Sequence, residues 1–338
     1  MRNKIICGLL LVAVVVVVVG FVAYNMFYGS AVDKGYMVEI SADGGYDANI
    51  AKVKEGLGHH MAFDYYADHI NLRGTMKSGV YTFDEGMTVI EVARMLKIGS
   101  NATIRLTINN ARTPEALAGR VAQQTKIDSA EMVAVLRDKE LINSLGFKSA
   151  EAMFSIFLPN TYEVFPSIGA EELVMRLKDE SDKFWAKEQN KAKLEDIGLN
   201  SFEVMILASI VHEETNAEEE MPRVAGVYMN RLNDGMFLQA DPTVKYAVGD
   251  PALKRILYRH LEVDSPYNTY KHLGLPPTPI AMPDMAAIEA VLNYERHDYY
   301  YFCARPELDG RHNFARTHAE HERNAAAYHR ALNNMKIK

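Results

Sequence analysis

The run from Ile5 to Phe27 constrains this chain more than any other stretch, because no charged residue stands between Lys4 and Asp33. As a helix it would extend ~35 Å, enough to cross the hydrocarbon core of a bilayer. Arg2, Lys4 and the terminal amine precede it, so the positive-inside rule keeps residues 1–4 in the cytoplasm and places everything after the run outside. A cleaved signal peptide is the rival reading. The run is longer than a usual signal core, however, and no A-x-A site follows it. The expectation is a single-pass anchor over residues 5–27 carrying an external body.

That body must be held together by its own core. Cys7 and Cys303 are the two cysteines, and the anchor would separate them, so they cannot pair. Roughly 300 remaining residues are enough for two domains. The chain has a formal charge of −7, which becomes −9 once Arg2 and Lys4 are set aside. No basic surface for nucleic acid or anionic lipid is expected. Apart from the valine run there is no repeat or low-complexity tract.

From Val38 to Arg105 the pattern is that of a small α+β module: a strand-like MVEIS, a helix from Asn49 to Leu57, the alternating SGVYTF, and a helix in MTVIEVARMLKIG. In that last helix Val89, Val92, Ala93 and Leu96 form one stripe, Thr88 opens it and Gly99 closes it. Farther on, helices are expected near Thr113 to Gln124, Ser129 to Leu136, Ser149 to Ser155 and Ala170 to Glu188. Another begins near Pro222 and stops at Asn233-Asp-Gly235. Asp241 reads as an N-cap with Pro242 as the first helical residue. Pro266 to Pro283 is too proline-rich for a helix and long for a plain connection, which suggests a functional wall or lid. Tyr299 to Ala304 reads as a strand and Thr317 to Met335 as a terminal helix.

Chemistry concentrates in ILASIVHEET, Ile206 to Thr215. Val204, Leu207, Ala208 and Val211 share a stripe, and Met205, Ile206 and Ile210 widen it until the helix is apolar nearly all round. On the helical wheel Glu214 lies roughly 50° from the apolar centre and Glu213 roughly 150°, so Glu214 points inward and Glu213 toward solvent. A carboxyl held against apolar walls gains pKa and becomes suited to donating and recovering a proton near neutrality. A solvated helix-end glutamate is the alternative.

Other chemistries lack a handle. HExxH would need a histidine where Asn216 stands. His312, His318, His321 and His329 lie among Arg, Glu and Asn and read as surface residues, so no metal site is expected. No G-x-S-x-G elbow, phosphate loop or dinucleotide fingerprint occurs, and no cofactor is expected. A single carboxyl suffices for cleaving a MurNAc glycoside if the sugar's own C6 hydroxyl is the nucleophile. A hydrolytic glycosidase would want a second carboxylate, for which Asp241 is available. Both routes stay open on this reading.

Ordered blocks along nearly the whole chain resemble the YceG-like endolytic murein transglycosylases of the MltG type. They are SGVYTF with MTVIEVARML, FLPNTYEV, ILASIVHEET, RVAGVYMNRLNDGMFLQADPTVKYAVG, SPYNTYKHLGLPPTPIAMP, YYYFCA and HNFARTHAEHERN. The resemblance implies an α+β architecture: the anchor, a LysM-like subdomain over residues 28–105 and a catalytic domain over residues 106–338. It also implies that Glu214, the glutamate before the threonine of the family's E-K-E-T motif, is the catalytic acid/base. Gln239, Asp241, Thr243, Tyr267, Asn268 and Thr269 fall in blocks similar to those lining the family's glycan cleft. The implied activity is endolytic cleavage of nascent peptidoglycan strands, leaving 1,6-anhydroMurNAc ends outside the bacterial cytoplasmic membrane and beside the synthases. Alternatives are a lysozyme-like hydrolase using Glu214 and Asp241, and a non-catalytic peptidoglycan-binding membrane scaffold. The chain departs from the family pattern at His212, where E-K-E-T has its first glutamate, at Asn160 of the PDTY block, at Asp284 after Pro283, and at Glu322.

Overall fold

The structure is a computed structural model that describes residues 2–41, 44–99, 103–109, 111–166, 168–250, 253 and 255–334, without the side chains of 2–9 and 11. The side chains of the basic tip and of the first part of the apolar run, and Met335 of the expected terminal helix, lie outside the described residues. The fold is mixed α+β, helix-rich with small two-stranded sheets. The chain forms two units, Met1–Arg105 with Glu163–Ile168, and Leu106–Tyr162 with Gly169–Lys338.

The first unit opens with helix α1 (Arg2–Tyr28). Its apolar side chains from Val12 to Val22 point outward, Val17 being 70 % exposed, while Met26 and Phe27 pack on the core of the unit. Counting the described residues alone, no helix is long and apolar enough to cross a membrane. Strand β1 (Tyr36–Ile40) pairs antiparallel with β2 (Gly79–Phe83), Tyr36 opposite Phe83 and Ile40 opposite Gly79. Between them lie α2 (Tyr46–Lys54), α3 (His60–His69) and α4 (Leu72–Thr75), and α5 (Val89–Ile98) follows. Alternation puts Val38 and Ile40 of β1 inside with Tyr81 and Phe83 of β2, where they meet the stripe of Val89, Val92, Ala93 and Leu96. Thr88 and Glu91 close a reciprocal capping box at the start of α5. Helices α3 and α4 fill a stretch whose sequence carries no strong period.

A further sheet pairs β3 (Ile104–Ile108) with β4 (Asn160–Val164). Within the second unit the Thr107 and Thr161 hydroxyls meet at 3.0 Å. The second unit continues with α6 (Pro114–Gln124), α7 (Ser129–Leu136), α8 (Lys139–Ser144), α9 (Ala150–Met153), α10 (Ala170–Trp185), α11 (Glu188–Ile197), α12 (Ser201–Glu214), α13 (Met221–Asn233), α14 (Asp241–Val248) and α15 (Met285–Leu292). It ends with the antiparallel hairpin of β5 (Tyr301–Ala304) and β6 (His312–Ala315), then α16 (His318–Asn334). Its core is formed by α12, α13 and α15, each packed on the other two: every residue from Val204 to Val211 is buried, in one cluster with Val224, Ala225, Tyr228, Ile288 and Val291. Gly226 of α13 lets the chain after α15 come close, since a Cβ there would stand 2.2 Å from the Glu295 carbonyl oxygen. The proline-rich segment 266–283 has no regular structure. It is pinned to α12 through Ser209, whose hydroxyl donates to Ile206 O at 2.7 Å and accepts from the Ile280 N–H at 3.0 Å.

Candidate active site

Glu214 is the last residue of α12. The capping box of Asn200 and Glu203 fixes where the helix starts, and the packing of eight successive buried residues against α13 and α15 holds it in place. The carboxyl therefore has little choice of direction. It opens into a cleft of about 350 Å³, where the Tyr228 hydroxyl of α13 donates to Glu214 Oε1 at 2.5 Å. The residue is half-buried by surface area, yet its carboxyl lies deep among protein atoms. That burial pushes its pKa up to about 7, opposed by the Tyr228 hydrogen bond and reinforced by the charges of Asp241 and Glu213. The carbonyl end of α12 adds a partial negative charge in the same sense.

Asp241 faces the same cleft from the start of α14. It is the first helical residue and Ala240 the cap, so the N-cap expectation is off by one: its side chain makes no capping bond and accepts the Tyr270 hydroxyl at 2.7 Å instead. Burial raises the pKa of both tyrosines, so both keep their protons and act as donors. Each of the two cleft carboxylates thus has its own tyrosine.

Arg231 holds the floor. Buried beneath the cleft, it donates to Tyr300 O at 2.7 Å, to Phe237 O and Leu238 O at 3.0 Å and to Gln239 Oε1 at 3.1 Å, with the Tyr301 ring 5.1 Å away. Gln239 sits at φ 52°, a left-handed conformation rare for a side chain of this size. Its N–H donates to Thr269 O at 3.1 Å.

The six residues expected to bind substrate divide in two. Gln239 and Asp241 line the cleft. Thr243, Asn268 and Thr269 are buried behind it: the Thr243 and Thr269 hydroxyls meet at 2.8 Å, Thr269 Oγ1 accepts the Ala240 N–H at 3.0 Å, and Asn268 Nδ2 donates to Leu261 O and Val263 O. Tyr267 shares a hydrogen bond with Thr278 at 2.8 Å and packs on Tyr246. These four set the shape of the loops that present Gln239 and Asp241.

Two readings of the sequence need correction. Glu213 does not face open solvent, because Arg112, 101 positions earlier, covers it with an ion pair of 2.6 Å that leaves the Glu213 side chain 15 % exposed. His312, His318 and His321 are not simply surface residues, since all three border the Glu214 cleft. His312 Nδ1 is 3.1 Å from the buried Glu220, and the His321 ring stacks on Tyr301. Burial lowers the pKa of His321, which keeps the ring neutral near pH 7. Among the described residues no group of three or more His, Cys, Asp or Glu is arranged to hold a metal ion.

Tyr228, Arg231, Tyr270 and Tyr301 were not singled out from sequence. The signal for Tyr228 was present: a tyrosine on the apolar face of a core helix needs a partner for its hydroxyl. His212 Nδ1 lies 3.1 Å from Asp284 Oδ2, an ionic contact whose angle falls short of a hydrogen bond. The Asp284 carboxylate raises the His212 pKa and is itself lowered in return. Two of the positions where the chain departs from the family pattern therefore face each other. Asp284 also caps α15, accepting the Ala287 N–H at 2.7 Å.

Comparison with known proteins places the chain among relatives of one family. The YceG-like family matches residues 38–327. The chain is 29 % identical over 296 residues to the endolytic murein transglycosylase of Bacillus subtilis (strain 168), covering 83 % of this chain and 81 % of that protein. To the protein of the same description in Streptococcus pneumoniae serotype 2 it is 28 % identical over 305 residues, 81 % of this chain but 55 % of the relative, so it spans about half of that longer protein. The crystal structure of a YceG-like protein from Listeria monocytogenes superposes with a TM-score of 0.54 at 28 % identity, covering 86 % of this chain and 99 % of that one.

Proposed function

The chain belongs to the YceG-like family, and on that premise we propose that it is an endolytic peptidoglycan lytic transglycosylase with Glu214 as its acid/base. The observation that carries the reading is a carboxyl with a pKa of about 7, bonded to Tyr228 in an open cleft. Near neutrality it is protonated for a large part of the time and can donate. Glu214 gives its proton to the O4 of the departing GlcNAc as the MurNAc C1–O4 bond breaks. The Glu214 carboxylate then takes the proton of the MurNAc C6 hydroxyl as that oxygen bonds to C1. No water is consumed, and the product is a 1,6-anhydro ring. Tyr228 steadies the carboxylate between the two transfers.

The remaining features of the site serve this chemistry. Gln239 and Asp241 are available to sugar hydroxyls, and Arg231 keeps the loop that bears Gln239 rigid. Thr243, Tyr267, Asn268 and Thr269 act by holding that wall. The apolar run Ile5–Phe27 and the outward valines of α1 support a membrane anchor with the second unit outside the cytoplasmic membrane, within reach of new strands and of the synthases that make them. The strand–helices–strand order of β1 to β2 supports a LysM-like, glycan-holding role for residues 28–105.

Mass spectrometry of purified strands after digestion tests the reaction. Anhydro ends made by the wild type and lost in Glu214→Gln are expected. Reducing MurNAc ends would instead make the protein a hydrolase, with Asp241, which also lines the cleft, as its second carboxylate. Unimpaired strand binding without turnover by the wild type would leave it a scaffold.

A further inference from the structure

The last two residues of α12 open into different cavities. Glu214 faces the cleft; Glu213 faces a second cavity of about 230 Å³ that also touches Arg112, Pro242, Lys245, Tyr246 and Asp250. The two cavities are lined by chain neighbours at two points, Glu213 next to Glu214 and Pro242 next to Asp241. Lys245 stands on α14 one turn after Asp241, about 6 Å along the helix and on the same face. That is roughly the length of one sugar.

The second cavity is built differently from the first. Its floor is apolar: Pro242, the ring of Tyr246 packed on Tyr267 at 4.7 Å, and the buried Ile280. Its rim carries two cations and two anions, Arg112, Lys245, Glu213 and Asp250. Arg112 is held in place by its neighbours as well as by Glu213. The buried Ala111 accepts the Met282 N–H at 2.9 Å, and Thr113 caps α6 through the Ala116 N–H at 3.1 Å. The guanidinium spends one nitrogen on Glu213 and keeps its other donors. Lys245 Nζ has no partner among the described residues.

An uncharged glycan has no use for four charged side chains over an apolar floor. The peptide stem of peptidoglycan does: it leaves the strand from the lactyl group of MurNAc, begins with methyl-bearing units, and then carries carboxylates and a free ammonium group. We propose that this cavity is a subsite for the first residues of the stem peptide of the MurNAc bound beside Glu214. The lactyl and alanyl methyl groups rest on Pro242, Tyr246 and Ile280, and stem carboxylates meet Arg112 and Lys245. The subsite makes the enzyme selective for strands that still bear stems. It rests on the transglycosylase reading, because that reading puts MurNAc in the neighbouring cleft.

The experiment measures kcat/KM of the full-length protein in detergent on stem-bearing strands and on the same strands stripped by an amidase. The wild type is expected to prefer stem-bearing strands about tenfold, through KM. In Lys245→Glu, and in the milder Arg112→Gln, that preference falls toward one while anhydro ends are still formed. Equal rates on both substrates for the wild type, or an equal loss on both in the variants, overturns the subsite and leaves the transglycosylase standing. Failure of the wild type to form anhydro ends on either substrate overturns both. Preference kept with free stem carboxylates but lost when they are amidated supports the contact with Arg112 and Lys245; indifference of the rate to amidation overturns it.

Discussion

The Tyr228 hydroxyl lies 2.5 Å from Glu214 Oε1, so the carboxyl proposed as the acid is held by a phenol that favours its ionised form. Burial pulls the other way and prevails, leaving the carboxyl at about 7. Removing the phenol tips the balance further. Tyr228→Phe is expected to move the alkaline limb of the pH–rate profile upward, because the carboxylate loses its donor. The rate at the optimum should fall by roughly tenfold to a hundredfold, matching a lost hydrogen bond to a charged group of about 1.5 to 3 kcal/mol. An unshifted limb would mean that Tyr228 only packs.

Glu214→Gln should abolish cleavage, with a loss of at least about a hundredfold to ten-thousandfold for a missing general acid. Its effect on stability has a definite sign. The folded pKa is raised from 4.5 to about 7, so the wild type is most favoured where Glu214 is protonated and loses stability as the pH rises through that interval. Glutamine carries no such penalty. Thermal unfolding at pH 8 should therefore show the variant more stable than the wild type, and at pH 4 the two should be nearly alike.

The contact of His212 with Asp284 ties the end of α12 to the start of α15. The folded pKa of His212 is raised, so its contribution is present below the ordinary histidine range and is lost as the pH rises through the raised value. Asp284 is lowered, so its share is present above the ordinary carboxylate range and is lost on acidification. The Glu213 and Arg112 charges also act on His212, the first raising its pKa and the second lowering it. Between these limits His212→Gln should be less stable than the wild type, and the difference should shrink at pH 9. Chemical denaturation across pH measures it. Asp284→Ala should cost more, about 1 kcal/mol extra, because the α15 cap goes as well.

Arg231→Met would leave the carbonyls of Tyr300, Phe237 and Leu238 without their donor under the cleft. A loss of about 3 kcal/mol or more is expected from urea unfolding. Strand affinity should weaken with it, since Gln239 loses the contact that holds its loop. Wild-type stability in this variant would show that water takes over the arginine's role.

Much of the site was legible along the chain because helices write their burial into a local period. The stripe of Val204, Leu207, Ala208 and Val211 turned Glu214 inward, and the structure buries all four and opens Glu214 to the cleft. Likewise Val89, Val92, Ala93 and Leu96 appear as one buried face. Periodicity fails where a partner comes from far away. Glu213 reads as solvent-facing until Arg112 arrives from 101 positions upstream, and the histidines beyond β5 read as surface until the β5–β6 hairpin turns them toward Glu214. Strand β4 lay hidden in a block that reads as a break between helices, because short strands carry too few alternations to stand out.

The sequence by itself determined that Glu214 turns inward, the apolar run at the start of the chain and the helical framework of the second unit, since each rests on residues close together in the chain. Tertiary structure decided the upward shift of the Glu214 pKa, the pairing of each cleft acid with its own tyrosine, and the division of the expected binding residues into those that line the cleft and those that hold its wall. The reason is physical: burial and hydrogen bonding depend on what packs around a group in space, and at Glu214 those neighbours come from α13 and α14 as well as from its own helix.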